Sequence, residues 1–377
     1  MYILIVALHQ PVKPTGVCRH AANLAQCLAE TDDVTHVTLI VGKWQQDYFA
    51  TLYCSEKISL ISIEIENRSI TRNLWFLFGL PRIVNRLHPD LVHLSFPLPF
   101  LKPLFSCPVV STIHDLYAYE CPENFGSTAI FNRSFFKLCL IQSDGLVCVS
   151  KTTSESLRRY FPRIICHKPS TVIYNYVDFS NIASKTPRVI PIDSPFLLCV
   201  AQHRKNKNLD VLIKAYARLL ENTHDNLTNL ILVGSPGPET ESLNTQVEVL
   251  NLGDRVFFLS ALEDGELRWL YEHCIIFAIA SSTEGFCIPL VEALYFGCKT
   301  VCSNIEILKE VGSYTCMYFS LEDDPVVNLS QSFVQALQST HDFNSCRDER
   351  FSKSQTATEF LKFYSEISGK GKSKKLD

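Results

Sequence analysis

SSTEGFCIPLVEALYFG, residues 281–297, decides how this 377-residue chain is read. It carries two carboxylates, Glu284 and Glu292, separated by seven residues. Gly285 and Pro289 interrupt any regular pattern, whereas Leu290, Val291, Ala293 and Leu294 open an apolar helical stripe. Glu284 therefore falls on a loop and Glu292 on the first turns of a helix. Just upstream, 275–280 (IIFAIA) is a short apolar run of the kind that forms a strand buried on both faces. A strand that ends in a glycine-containing loop and feeds a helix puts the loop at the carboxyl edge of a parallel sheet, where open α/β sheets bind ligands. Two carboxylates there can accept hydrogen bonds from several hydroxyls, the chemistry of a sugar or a ribose. Taken alone, the same two residues could be a helix cap and a solvated helix position.

The run EGFCIPLVEAL resembles the signature of the retaining glycosyltransferases of family four. The fold implied is α/β, with two facing Rossmann-like domains of parallel sheets (GT-B) and a C-terminal helix crossing back to the N-terminal domain. By this resemblance Glu284, with Gly285, Phe286 and Cys287, contacts the donor sugar, and Glu292 contacts the ribose of a nucleotide-diphosphate sugar. Cys287 stands where the family usually has glycine, so an altered loop backbone is expected. Lys207-Asn208 matches a Lys-Asn pair that grips the donor diphosphate. The family's usual Gly-Arg is Ala201-Gln202 here, and Arg204 is the expected second cation. Thr15-Gly16 followed by Arg19 stands for a Gly-Gly pair and arginine, with Gly16 letting backbone amides approach a phosphate.

Further along, His114 matches a histidine that reaches the donor sugar near its reacting carbon, and could donate a hydrogen bond to a sugar hydroxyl or the departing phosphate. His114 and Glu284 are the expected catalytic pair. Leu262 follows a strand whose end pairs, through backbone, with the nucleobase. Tyr117, Tyr119 and Glu120, in the aromatic stretch LYAYECPENFG, are the expected acceptor wall, and Glu310 matches a common family position. The activity implied is metal-independent transfer of a hexosyl group from a UDP- or GDP-sugar to a hydroxyl of a glycan or lipid-linked acceptor. No Asp-x-Asp triplet of the metal-dependent architecture occurs; no cofactor and no essential metal are expected. The rivals are a GT-B nucleotide-sugar epimerase and a non-catalytic nucleotide-sugar binder. A Rossmann dehydrogenase is disfavoured because HQPVKPTG lacks the GxGxxG fingerprint.

Composition agrees with a two-domain globular protein: 46 % of residues are hydrophobic and 20 % charged, and the net charge of -4 carries no polyanion signal, so no nucleic acid is expected as a partner. Fifteen cysteines, an odd number without a CxxC, many in apolar runs such as those around Cys139, Cys148, Cys199 and Cys274, point to free thiols in a reducing compartment. MYILIVAL lacks a preceding basic segment and a cleavage site, and reads as a first strand of a cytoplasmic protein.

Strands are expected at 2–8, 34–41, 58–65, 90–94, 109–113, 144–150, 196–200, 230–234, 256–259 and 300–302, with a helix cap at Ser150 or Thr152. A proline- and serine-rich linker at 179–195 separates an acceptor domain, 1–180, from a donor domain, 194–355. A helix at about 356–368 returns to the first domain, and 370–377 is a basic tail expected to be disordered. Asn175-Tyr176 replaces the family's usual Asn-Gly, so a different turn is expected there. Between 63 and 86, Trp75, Phe76 and Phe78 alternate with Arg68, Arg72, Arg82 and Arg86. Such a stretch fits a helix packed on the sheet, or a peripheral contact with the inner face of an anionic membrane.

Overall fold

The computed structural model describes residues 1–10, 16–50, 55–120, 129–187, 194–223, 228–339 and 348–373. The chain divides into two compact units, Met1–Tyr176 with Arg350–Asp377, and Val177–Glu349. Each is built on an all-parallel sheet with helical connections, the arrangement that buries both faces of its strands.

In the first unit the strands are β1 (Tyr2–Val6), β2 (His36–Gly42), β3 (Ile58–Ile63), β4 (Leu91–Leu94), β5 (Val109–Ile113), β6 (Gly145–Cys148) and β7 (Ser170–Val172), and they lie in the order β3-β2-β1-β4-β5-β6-β7. The helices are α1 (Gly16–Ala29), α2 (Gln46–Ala50), α3 (Ser69–Leu74), α4 (Leu80–Leu87), α5 (Tyr117–Glu120), α6 (Ala129–Gln142), α7 (Lys151–Tyr160) and α8 (Pro162–Ile165). The chain leaves β1 towards β2 on one side and resumes at β4 on the other, registering Ile3 with Leu91. The loops after β1 and β4 therefore flank the topological switch point, where such sheets take ligands. Ser150 caps α7 by accepting the Thr153 amide at 2.9 Å.

The second unit contains β8 (Phe196–Val200), β9 (Asn229–Val233), β10 (Val256–Leu259), β11 (Ile276–Ile279), β12 (Thr300–Ser303) and β13 (Met317–Phe319), ordered β10-β9-β8-β11-β12-β13. Its helices are α9 (Leu209–Thr223), α10 (Thr240–Val249), α11 (Asp264–His273), α12 (Ile288–Tyr295), α13 (Glu306–Gly312) and α14 (Pro325–Gln338). Leu212, Ile213, Tyr216 and Leu219 of α9 are buried with Leu197, Leu230 and Ile276 of the sheet, as their helical spacing predicts. Strand β13 and helix α14 are absent from the sequence reading, although Asp324 caps α14 by accepting from Val327 N at 3.1 Å, with Pro325 in its first turn.

The last helix, α15 (Lys353–Ser373), belongs with the first unit. Phe360, Phe363, Tyr364 and Ile367 join the core that holds Ile3, Ala21 and Leu24. The approach is close: a Cβ on Gly145 would lie 2.9 Å from both Phe363 and Ile367. The helix is longer than expected, so residues 370–373 are helical where a disordered tail was expected; 374–377 lie outside the described residues.

The linker expectation also needs correction. Residues 177–187 are part of the second unit. Arg268 of α11 donates to the carbonyls of Phe179 and Ile182 at 3.2 and 2.5 Å, Lys185 pairs with Glu263 at 2.6 Å, and the Phe179 ring meets Phe296 at 5.0 Å. Polar and proline-rich composition masked one apolar anchor, Phe179, and two side chains, Ser184 and Lys185, that bond Glu272 of α11 and Glu263 just before it. Residues 188–193 fall outside the described set.

Candidate functional site

The switch point of the second unit lies between β8 and β11, and the loops leaving these strands are laced together. The Asn206 side chain donates to the Thr283 carbonyl at 3.2 Å, Ser282 N donates to the Asn206 carbonyl at 2.9 Å, and Asn208 Nδ2 reaches the Ala280 carbonyl at 2.8 Å. Asn208 holds a left-handed conformation, φ 48°, which asparagine tolerates better than most residues. Across these loops Lys207 Nζ meets Glu284 Oε1 at 2.5 Å, and Ser281 Oγ donates to the same oxygen at 2.8 Å. The two side chains are only 15 % and 9 % exposed. Burial by itself would push the Lys207 ammonium down, but the Glu284 carboxylate beside it outweighs burial and holds it above the ordinary lysine value. A fixed cation thus sits at the carboxyl edge, next to the start of α12, whose amide dipoles add to the positive potential there. Arg204 is exposed one residue before the Lys205–Lys207 turn.

Cys287 shows how the sequence departure at this loop is accommodated. It precedes α12 with φ 68° and ψ 68°, the left-handed conformation that glycine adopts cheaply and other residues rarely take. Gly285, Phe286 and Cys287 are buried.

Glu292 is 3 % exposed on α12, with Tyr271 Oη donating to its Oε2 at 2.7 Å. Burial, followed by the neighbouring Glu292 charge, keeps the Tyr271 phenol well above its ordinary value, so it remains a donor. Its ring stacks on Phe296 at 5.7 Å. Sequence reasoning missed Tyr271, because a tyrosine in an amphipathic helix looks like core until the fold puts its hydroxyl on a particular carboxylate. Leu262 is half-buried after β10, behind Ala261 at φ 58°, and Glu310 lies on α13.

In the first unit, His114 follows β5 at the carboxyl edge. Its Nε2 lies 2.7 Å from the Ser95 carbonyl, which can only accept, so Nε2 carries the proton. Burial pushes its pKa down to about 4. The ring is thus neutral and presents Nδ1 as an acceptor, rather than the free donor expected from the sequence. Tyr117 N bonds Asp115 Oδ1 at 3.1 Å; Tyr119 Oη donates to the Arg133 carbonyl at 2.9 Å; Glu120 accepts from Ser156 Oγ at 2.7 Å. Gly16 is the exposed first residue of α1; Thr15, Pro122 and Gly126 lie outside the described residues. Tyr176 takes no positive φ and is buried, its hydroxyl donating to the Asn23 carbonyl at 2.9 Å. No group of histidine, cysteine and carboxylate side chains suited to a metal ion occurs among the described residues.

Comparison with known proteins follows this division. Residues 14–181 match the family described as Glycosyltransferase Family 4, and residues 182–313 match Glycosyl transferases group 1. The chain is 25 % identical over 319 residues to the O-antigen chain mannosyltransferase RfbU of Salmonella typhimurium, covering 82 % of this chain and 84 % of that one. It is 31 % identical over 182 residues to a Campylobacter jejuni N-acetylgalactosaminyltransferase acting on a diphospho-undecaprenol-linked sugar, covering 48 % of this chain and 47 % of the other. Among solved structures, Anabaena HepE in complex with UDP and glucose superposes with a TM-score of 0.74 at 18 % identity, over 97 % of this chain and all of that one. WaaG, a glycosyltransferase of lipopolysaccharide biosynthesis, gives 0.68 at 15 % identity, over 98 % of each chain. At such identities the structural likeness speaks for the fold alone, whereas the two family matches together span residues 14–313. This chain is a glycosyltransferase of family four with the GT-B fold.

Proposed function

We propose that the protein transfers a hexosyl group, with retention and without an essential metal, from a nucleotide-diphosphate sugar to a hydroxyl of a glycan or lipid-linked acceptor. The observation that carries this reading is the enclosed Lys207–Glu284 pair bridging the two switch-point loops of the second unit. A diphosphate leaving group develops negative charge as the glycosidic bond breaks, and a preorganised ammonium beside a helix N-terminus is suited to stabilise it. When the diphosphate takes a share of Lys207, Glu284 can accept hydrogen bonds from sugar hydroxyls, while Tyr271 holds Glu292 for the ribose. Arg204 supplies a second cation, and the backbone around Leu262 meets the nucleobase. The acceptor oxygen bonds to the anomeric carbon on the face the diphosphate leaves, and its proton goes to the departing phosphate oxygen. The relatives that act on O-antigen chains and on a diphospho-undecaprenol-linked sugar, and the structural neighbour holding UDP and glucose, support the acceptor and donor classes. Incubation with UDP- and GDP-hexoses and polyprenyl-diphosphate glycans tests it. Release of nucleoside diphosphate that depends on the acceptor, with an axial product bond from an axial donor, is expected. An epimerised or hydrolysed donor without acceptor, or an inverted product, would overturn the reading.

The same reading includes a peripheral contact with an anionic membrane through the 68–86 region. Ile70, Leu74 and Phe78 repeat every four residues and are 76 %, 53 % and 53 % exposed along one helical face, with Arg68, Arg82 and Arg86 exposed nearby. Arg72 does not belong to this basic set: it is buried, bonded to Asn67, Gln10 and Ser69. No helix among the described residues is long and apolar enough to cross a membrane. Each arginine near an anionic surface contributes about 1 kcal/mol, so Arg82→Glu with Arg86→Glu should weaken binding to phosphatidylglycerol vesicles at least about tenfold. Co-sedimentation measures it; equal binding by the variant, or none by the wild type, removes the membrane contact.

A further inference from the structure

The first unit holds buried polar atoms that lack a hydrogen-bond partner among the described residues. His9 Nδ1, His20 Nε2 and Ser95 Oγ are three of them, and all belong to residues gathered about His114. The His20 ring stands perpendicular to that of His114, at 87° with centroids 4.8 Å apart. Ser95 supplies the carbonyl on His114 Nε2, and His9 is near enough for a charge on His114 to oppose its protonation. Unpaired buried polar atoms reduce stability, and cores avoid them. Their concentration about one imidazole indicates that its surroundings are shaped for something other than stability.

The His114 ring is held among the described residues by one hydrogen bond, from Nε2 to the Ser95 carbonyl. With its Cβ held by the backbone and Nε2 by this bond, the ring keeps one rotation, about the line from Cβ to Nε2, and that rotation moves Nδ1. His20 can remove this freedom. It lies on α1, 6 % exposed, and its Nδ1 is tied to Asn175 Oδ1 at 2.6 Å, which sets the plane of its ring against His114. Asn175 and the contact with His114 dictate this orientation, and an unpaired Nε2 is the result.

We infer that His20 is a positioning residue for His114, fixing the plane of the His114 imidazole and so the direction of its acceptor nitrogen through the ring contact that Asn175 orients. This rests on the role in transfer that the family resemblance gives His114. The test is steady-state kinetics on the full chain with a nucleotide sugar and acceptor, for the wild type, His20→Phe, His114→Ala and the double variant. With His114 intact, His20→Phe should lower kcat at least about tenfold and leave the donor KM within about twofold, because the donor grip lies in the second unit. In the His114→Ala background the same change should have no further effect, since the two residues act as one device. A purely structural role would instead multiply the two losses. Should His20→Phe melt well below the wild type, His20→Asn, which retains a group to bond Asn175 but lacks the ring, takes its place in the cycle, with the same tenfold loss expected. A kcat within twofold of wild type for the folded variant, or an equal loss in both backgrounds, overturns the inference. Unchanged kcat in His114→Ala overturns the role of His114 and the inference with it, an outcome distinct from loss in His114→Ala alone, which overturns only the role of His20.

Discussion

Lys207→Ala is expected to lower kcat by about 10²–10³-fold, the effect typical of removing one preorganised group that stabilises developing negative charge. The same change leaves Glu284, 9 % exposed, without its cation, and breaking a buried pair from one side costs about 3–5 kcal/mol. Ser281 still donates to Glu284, which places the expected loss at the lower end of that range. The second unit should therefore melt earlier while activity falls by far more than the lost folded fraction explains. Assays well below the lowered melting temperature separate the two effects. A folded variant with near-normal kcat would remove Lys207 from the chemistry.

Acidification should unfold the first unit before the second. Burial pushes His93 down to about 3 and His9 and His114 to about 4, and moves His20 well below its ordinary value; Arg72 and then His114 add to the effect at His9, and nearby imidazoles add to it at His20 and His93. These rings are neutral in the fold, whereas in the unfolded chain they titrate near pH 6.5. Below that pH the unfolded state binds more protons, so stability is lost as the pH falls and continues to fall until the folded-state values are reached. For His93, lowering the pH from 7 to 5 costs about 2 kcal/mol, and His20 adds to this loss. His9 and His114 act in the same direction. Among the described histidines of the second unit burial depresses only His203, so hydrogen exchange followed by mass spectrometry should show first-unit peptides opening at the higher pH. Second-unit peptides opening first would contradict this.

The architecture was legible because both halves repeat an apolar strand, a turn and an amphipathic helix, and because residues 275–297 resolve into strand, loop and helix at the expected places. Hydrophobic periodicity needs only a few residues to declare itself. Strand β13 escaped notice because it is three residues long, too short for a period to emerge. The linker was misjudged because its attachment depends on side chains of α11, far away in sequence. The proposed site divides in the same way. Glu284, Glu292, Lys207 and His114 could be singled out because they occupy strand-to-helix loops or a recognisable motif. Tyr271 and His20 could not, since each takes its meaning from a contact: a hydroxyl on Glu292 in one case and a ring on His114 in the other. The left-handed conformation of Cys287 was not legible either, because a sequence does not reveal whether the surroundings impose such a backbone on a residue larger than glycine.

The central claim is that the second unit grips a nucleotide-diphosphate sugar through Lys207 without a metal. Calorimetric titration of the wild type, Lys207→Ala and His114→Ala with UDP- and GDP-hexoses, each with and without chelator, tests it most directly. One nucleotide class should bind the wild type and His114→Ala alike, indifferently to chelator, and binding should be lost in Lys207→Ala. Binding that survives in Lys207→Ala, that requires a divalent cation, or that fails with every nucleotide sugar would contradict it.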